Sequence, residues 1–384
     1  MRRILGILSA GFFLGVVNLA AQVPCPKSPV IINTPEDKLM LAVNGADSPQ
    51  TQVDVLNKFE AEHADSKFIP CVNEYLTATY VKMQDFDKAI EAGEKDVAAQ
   101  YLDVNLLTNL MKAYVGAGKA SDTAFELINQ APQLIHDELM QTSSSKPADA
   151  AKEEEGNAEL IKDIRAYMEY AFFQLLPRVT EPAKRVQDLD AFLKAYPDTA
   201  NMNQVNVQYF VAYQMMGDAA KVYEYGNKAA ESDAANASTL NMVADAFATA
   251  KEPHTKEAEE YAKKALDLAT AMQKPENMTD DQFKTFKDTQ MGLAHATLGY
   301  VALTEGSASH HVAPAIKEFE TAVDLLASNP QLQARTLYFL GYANEVLYPP
   351  HHHSAADALT KCIALDTPWK AQAEELLEKV KKAH

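Results

Sequence analysis

The sequence predicts an all-α protein, an α-solenoid of about seven helix-turn-helix repeats that ends in a C-terminal capping helix. The first observation is internal repetition, since residues 84–95 recur in outline as residues 217–228. The second is periodicity, because each copy follows an apolar pattern of helical spacing and a polar turn. The third is spacing, since the equivalent positions Thr77 and Met111 are 34 residues apart. One such helix pair cannot bury its apolar face alone and must stack on its neighbours.

Residues 1–21 have the layout of a secretory signal peptide. A basic start at 1–3 precedes an apolar run at 4–17, and the small residues at 20 and 21 suit cleavage. An uncleaved membrane anchor is the alternative, because a spanning helix needs only roughly 20 residues. The rest of the twin-arginine pattern is missing, which favours general secretion. We therefore expect an exported protein that is periplasmic, or else extracellular or anchored at the membrane.

Residues 22–69 are expected to form an extended arm and a first helix, because five prolines lie between positions 23 and 50. Cys25 lacks the small preceding residues that lipid attachment requires, which disfavours acylation. In an oxidising compartment Cys25 could pair with Cys71 and pin the arm to the first helices, while Cys362 stays alone. Three unpaired thiols are the alternative, since the sequence does not give the distance between the sulfurs.

The repeats follow in chain order. Two N-terminal repeats fill residues 70–140, and the C-terminal repeats fill residues 159–367. The seven helix pairs are expected at about 70–101, 104–136, 160–197, 203–234, 237–271, 280–328 and 332–367. Residues 141–158 lack apolar periodicity and predict a disordered acidic insertion between the second and third pairs.

Two signals mark the C-terminal end of the chain. Residues 279–282 form a capping box, Thr-Asp-Asp-Gln, which predicts a long helix over 280–303. Residues 368–384 place apolar side chains on one helical face and charged side chains opposite. We expect this last segment to cap the final repeat.

The residue types in these pairs resemble the tetratricopeptide repeat family, and the signal peptide suggests an exported bacterial member. The family signature is a pair such as Leu-Gly, an aromatic residue three positions later, and then Ala, a bulky residue and Ala at helical spacing. The clearest matches are Leu298-Gly299 with Ala315, Phe319, Ala322 and Leu325, and Leu340-Gly341 with Ala355, Leu359, Cys362 and Leu365. The resemblance implies a right-handed superhelix that acts as a protein-interaction scaffold.

The composition argues against several other classes of function. The net charge of −18 repels phosphate backbones, so no nucleic acid partner is expected. The sequence has no phosphate-binding glycine loop, no Gly-x-Ser-x-Gly elbow and no His-Glu-x-x-His helix. We therefore expect no catalytic residue, no cofactor and no small-molecule substrate. A membrane contact is expected only if the signal peptide stays uncleaved.

The resemblance also implies which residues would face a protein or peptide partner. In similar proteins the first helix of each repeat lines a concave groove, and packing between helices is the alternative role for every such position. By repeat position the groove residues would be Asn105, Thr108, Lys112, Gln204, Val207, Gln208, Val211, Asn241, Asp245, Tyr300, Tyr338 and Tyr342. Their tyrosine and asparagine content suits a polar contact with a neutral or basic segment.

Six histidines lie in the turns within the fifth, sixth and seventh pairs. They are His254, His310, His311, His351, His352 and His353. Equivalent turns share one edge of a solenoid, and imidazoles there could bind zinc, copper or nickel. Polar decoration of the loops is the alternative, because metal sites hold each ligand through further hydrogen bonds. A periplasmic metal-binding protein is therefore the second functional hypothesis.

Overall fold

The computed structural model describes residues 31–140, 147–309 and 311–383. In these ranges the regular elements are all helices: seventeen α-helices and the short 3-10 helices Leu176–Arg178 and Ser307–Ser309. None of the described helices is long and apolar enough to cross a membrane. The predicted signal peptide, Cys25 and His310 lie outside the described ranges.

The chain forms two compact units that divide between Ala200 and Asn201. The N-terminal unit contains α1 (Pro35–Asn44), α2 (Pro49–Glu62), α3 (Ile69–Met83), α4 (Phe86–Ala98), α5 (Val104–Ala117), α6 (Asp122–Met140), α7 (Pro147–Leu175) and α8 (Pro182–Ala195). The C-terminal unit contains α9 (Met202–Met216), α10 (Ala219–Ala230), α11 (Ala237–Ala248), α12 (Thr255–Ala271), α13 (Asp280–Gly306), α14 (Ala313–Leu325), α15 (Pro330–Val346), α16 (His352–Ala364) and α17 (Lys370–Ala383).

The seven predicted helix pairs are present, from α3 and α4 to α15 and α16, so the predicted all-α repeat fold is confirmed. An additional pair, α1 and α2, precedes them. The last helix, α17, packs on α15 and α16 and buries Ala373, Leu377 and Val380 against them. Its opposite face carries charged residues, which suits the end of a repeat array.

Helices stack in chain order within each unit. In the C-terminal unit each of α11, α13 and α15 also contacts the next odd-numbered helix, and we call α11, α13, α15 and α17 the first-helix row. The second helices are linked as well. The Tyr223 hydroxyl donates to Glu257 at 2.9 Å, and the Tyr261 hydroxyl donates to Asn227 at 2.8 Å. Both pairs span 34 residues, so the sequence period is also the stacking period.

Glycine allows the paired helices to approach closely, as the repeat pattern predicts. A Cβ atom on Gly299 would lie 2.7 Å from the Phe319 ring, and one on Gly341 would lie 2.7 Å from Leu359 Cγ. Such distances are well inside van der Waals contact. The side chain of the second helix therefore fills the space that the glycine leaves open.

Residues 22–69 are predicted to contain an extended arm and one helix, whereas the structure has two helices, α1 and α2, from residue 35 onward. The Thr34 and Ser48 side chains accept backbone hydrogen bonds from the helices that they cap. Pro35 and Pro49 follow them at the first helical position, where no N–H is needed for the helix. Proline at these places starts a helix rather than preventing one.

The prediction of a disordered insertion at 141–158 is also wrong from residue 147 onward. Residues 141–146 lie outside the described ranges, but α7 begins at Pro147 and runs to Leu175. The sequence from 148 to 155 consists of Ala, Asp, Lys and Glu. Except for Asp, these residues have high intrinsic helix propensity, and they need no apolar face to continue a helix.

Cys71 and Cys362 differ in oxidation state. Cys71 is 1% exposed and is disulfide-bonded, whereas Cys362 is buried and free. Burial raises the pKa of the Cys362 thiol to about 11. Because Cys25 lies outside the described residues, its pairing with Cys71 stays a prediction.

Candidate functional site

The candidate site lies on the first-helix row of the C-terminal unit. A cavity of about 20 Å³, room for a single water molecule, opens between α11, α13, α14 and α15. Its lining combines three aromatic rings with an ion pair and a hydroxyl group. These residues are Tyr300, Phe319, Phe339, Asp245, Arg335 and Thr336.

An ion pair forms one wall of this cavity. Arg335 on α15 donates to Asp245 on α11 through two parallel hydrogen bonds of 3.0 and 2.8 Å. Burial disfavours the guanidinium charge, but the Asp245 carboxylate outweighs it and raises the pKa of Arg335 above its usual range. A bidentate pair of this kind fixes the relative orientation of the two side chains in addition to pairing their charges.

Aromatic side chains extend from the cavity along α15. We define the aromatic row as Tyr300, Phe339, Tyr338 and Trp369. The Phe339 ring centroid lies 5.0 Å from Tyr300, 5.3 Å from Tyr338 and 5.6 Å from Trp369. All four side chains are only partly buried. Packed aromatic rings that keep exposed surface offer apolar area for a partner at little cost in conformational entropy.

Four predicted groove residues lie at this site. Asp245 and Tyr300 line the cavity, and Tyr338 belongs to the aromatic row. Tyr342, one turn beyond Tyr338, is 38% exposed. Asn241 instead lies inside the helix packing, since it is 3% exposed and donates to the carbonyl oxygen of Gln290 at 2.9 Å. The alternative role, packing between helices, therefore applies to Asn241.

The four predicted groove residues on α9 differ in solvent exposure. Gln204 is exposed, whereas Val207 and Gln208 are partly buried. Val211 packs against the apolar core of the C-terminal unit. The side chains of α9 therefore divide between solvent and core.

The remaining predicted groove residues belong to α5 of the N-terminal unit. Asn105 is exposed, and the Thr108 hydroxyl donates to the Val104 carbonyl oxygen at 2.7 Å. Lys112 is partly buried, and this burial lowers the pKa of its ammonium group. The predicted groove residues are thus divided between two compact units.

The described turn histidines lie at or just before the N-termini of second helices. His254 and His351 occupy the same repeat position, with φ −98° at both and ψ 67° and 64°. The backbone N–H of each donates to the preceding first helix, at 3.0 Å to Phe247 and 2.9 Å to Asn344. The same pattern occurs at His311, whose N–H donates to the Gly306 carbonyl oxygen at 3.0 Å.

The imidazole rings have protein contacts of their own. The His254 ring stacks on Tyr223 with centroids 4.2 Å apart, and His352 Nδ1 lies 2.8 Å from Glu345 Oε2. His353 is exposed. Across the described ranges, no group of three His, Cys, Asp or Glu side chains is arranged to hold a metal ion. The metal-binding hypothesis gains no support from these residues.

Five residues of the site were not predicted as partner-binding: Phe319, Arg335, Thr336, Phe339 and Trp369. A signal for Arg335 was present, because it lies three and seven residues before Tyr338 and Tyr342 and so shares their helical face. Trp369 was assigned only to the capping segment. Its contact with Phe339 depends on how α17 packs on α15, which the sequence does not specify.

No protein family model and no curated protein matches the chain. A solved structure, the crystal structure of the APC/C hetero-tetramer Cut9-Hcn1, matches with 14% sequence identity over 91% of this chain and 91% of that chain. The TM-score of this match is 0.23, and at that value the likeness carries no argument about fold, partner or function.

Proposed function

We propose that this chain is a non-catalytic protein-interaction scaffold of the tetratricopeptide repeat type, which binds a polypeptide segment along the aromatic row. The observation that carries the proposal is the partly exposed series Tyr300, Phe339, Tyr338 and Trp369 beside the Arg335–Asp245 pair. Aromatic and arginine side chains dominate the energetics of protein interfaces. A cavity with room for one water molecule is too small for a substrate but suits one anchoring group.

The charge of the chain favours a neutral or basic partner segment. The net charge of −18 attracts cationic segments and repels acidic ones. A lysine or arginine of the partner could also lie over the exposed aromatic faces. The Arg335 guanidinium already has the Asp245 carboxylate as its partner, so an acidic segment would have to displace that bond.

Export forms the second part of the proposal. The signal-like layout of residues 1–21 supports a periplasmic location, with an extracellular or membrane-anchored protein as the alternative. A disulfide-bonded Cys71 is consistent with an oxidising compartment. N-terminal sequencing of the purified protein would locate the cleavage site, and an intact Met1 in the exported fraction would contradict cleavage.

The binding proposal can be tested by photo-crosslinking in envelope extracts. A photoreactive amino acid in place of Tyr342 should capture a defined partner, and the Tyr338→Ala change should reduce that capture at least tenfold. The matched control is the same probe in place of Tyr170, which is 43% exposed on α7 of the N-terminal unit. Equal capture of the same proteins from both positions, or no effect of Tyr338→Ala, would place the partner elsewhere.

A further inference from the structure

Acidic side chains meet a tyrosine in the N-terminal unit where α3, α4 and α5 join. The group consists of Glu74 on α3, Asp96 on α4, Tyr101 in the following connection and Asp103, which caps α5. Asp96, Tyr101 and Asp103 are 1%, 8% and 4% exposed, and Glu74 is partly buried. Three carboxyl groups that share one buried junction repel each other if all of them carry charge.

The hydrogen bonds of Tyr101 require an additional proton. Its hydroxyl oxygen lies 3.0 Å from Glu74 Oε2 and 2.9 Å from Asp103 Oδ2. A phenol has one proton and can donate it to only one of these oxygens. The other contact becomes a hydrogen bond only if that carboxyl group is protonated and donates to the phenol oxygen.

The surroundings place this proton on Glu74 rather than on Asp103. The second oxygen of Asp103 accepts the Leu106 N–H at 2.8 Å, at the N-terminus of α5, where negative charge is stabilised. Burial and the neighbouring Asp103 charge raise the pKa of Glu74 to about 8. The protonated Glu74 carboxyl group then donates to the Tyr101 hydroxyl oxygen, and the Tyr101 hydroxyl donates to Asp103.

A second proton is indicated at Asp96. The Asn73 amide donates to Asp96 Oδ1 at 2.7 Å, while Asp96 Oδ2 and Asn73 Oδ1 are both buried without a partner. Protonation of Asp96 Oδ2 gives the Asn73–Asp96 pair a new hydrogen-bond donor. The pair also contains Asn73 Oδ1, the buried acceptor that has no partner. Burial raises the pKa of Asp96 to about 7, against the opposing effect of the Asn73 hydrogen bond.

The charged groups on the surrounding helices do not cancel the rise in the pKa values of Glu74 and Asp96. Lys95 on α4 favours the charged form of Asp96, but it is paired at 3.2 Å with Glu60 on α2, which acts in the opposite direction. Glu138 on α6 adds a further carboxylate at the start of α5, where it accepts the Val104 N–H at 3.0 Å. The Tyr75 hydroxyl on α3 is buried without a hydrogen-bond partner.

We propose that this junction holds two protons at mildly acidic pH, on Glu74 and Asp96, and that the N-terminal unit loosens as rising pH removes them. The folded carboxyl groups bind protons more tightly than the same groups in the unfolded chain, whose pKa values are about 4. The stabilising contribution is therefore complete below about pH 4, decreases progressively as the pH rises, and is fully lost once the pH has passed the folded pKa values of about 7 and about 8. The device would make the N-terminal unit a pH-sensitive part of the molecule.

Infrared difference spectroscopy of the full chain tests the protons directly. We expect a protonated-carboxyl C=O band at pH 6 that disappears by pH 9 and that the double variant Glu74→Gln, Asp96→Asn lacks. The control variant Glu91→Gln, Asp65→Asn changes two exposed acids of the same unit and should keep the band. If the wild-type protein has no such band at pH 6, or if the double variant retains it unchanged, the proposal is wrong. The wild-type pH series remains decisive even if the double variant does not fold.

Urea unfolding between pH 5 and pH 9 tests the consequence for stability. The only tryptophan, Trp369, lies in the C-terminal unit, so a circular dichroism transition without a matching fluorescence change reports the N-terminal unit. For that transition we expect the unfolding constant to rise about tenfold per pH unit for each retained proton. The double variant should lose this dependence while the control variant keeps it. A pH-independent wild-type transition, or one that shifts equally in the double variant, would overturn the proposal.

Discussion

Arg335 and Asp245 are joined by two hydrogen bonds, although 90 residues separate them in the sequence. They lie on α15 and α11, and α13 stands between these helices in the first-helix row. The pair therefore connects three successive repeats, whereas most contacts in a repeat array join only neighbours. It also closes one side of the cavity beside the aromatic row.

We predict that this pair stabilises the C-terminal unit by about 1 kcal/mol. The side chains are 27% and 36% exposed, so solvent screens them more than a fully buried pair. A double-mutant cycle of Arg335→Ala and Asp245→Ala, with urea unfolding followed by Trp369 fluorescence, measures the coupling. The exposed pair Lys361–Asp357 is the control and should couple by no more than a few tenths of a kcal/mol. Equal coupling in the two cycles would contradict the prediction.

We predict that Gly299→Ala destabilises the C-terminal unit by roughly 1–3 kcal/mol, because the new methyl group would overlap the Phe319 ring. The matched control is Gly156→Ala in α7, where a Cβ atom meets nothing within 4 Å. That change should instead stabilise its helix by roughly 0.5–1 kcal/mol, since alanine favours helix more than glycine. Thermal unfolding by circular dichroism compares them, and a neutral Gly299→Ala would show that the two helices can separate without cost.

Tyr261→Phe should cost about 1 kcal/mol, because it removes the hydroxyl that bonds to Asn227 in the preceding repeat. The ring itself stays, so its packing in the apolar core should not change. Tyr342→Phe is the control, because Tyr342 is 38% exposed and loss of its hydroxyl should leave no buried group without a hydrogen bond. Urea unfolding followed by Trp369 fluorescence gives both values. A loss no greater than that of the control would mean that the hydroxyl does not couple the repeats.

Thiol labelling of the native protein should find no rapidly reacting cysteine. Cys362 is fully buried and burial raises its pKa to about 11, so little reactive thiolate forms at neutral pH. After unfolding in urea without reductant, we expect one thiol to react, and peptide mapping should recover a Cys25–Cys71 disulfide. Labelling of Cys25 or Cys71 in the oxidised protein would contradict the pairing.

The sequence was sufficient for the helix pairs because their signals are local. Apolar spacing and the capping box at 279–282 predict α13, and the structure has both bonds of that box, between Thr279 and Gln282. For residues 22–69 the sequence predicts an extended arm and one helix rather than the two observed, because Pro35 and Pro49 are also typical of extended chain. The capping residues Thr34 and Ser48 before them were the signal that decides between the two interpretations.

The candidate site was only partly predictable. Tyr300 and Tyr338 follow from their repeat positions, and both contact Phe339. Arg335 depends on Asp245, a partner two repeats away, and no local pattern specifies such a distance. Asn241 occupies a predicted groove position but lies in the packing, because Gln290 is near enough to bond with it.

The sequence by itself determined the seven helix pairs, the 34-residue period between equivalent positions and the glycines at the helix crossings, because each depends on neighbours along the chain or on the adjacent helix. The tertiary structure alone decided which side chains of the first helices face solvent, and it brought Glu74, Asp96 and Asp103 to one junction. The physical reason is that exposure and proton affinity depend on every atom that surrounds a group, and those atoms come from helices distant in the sequence.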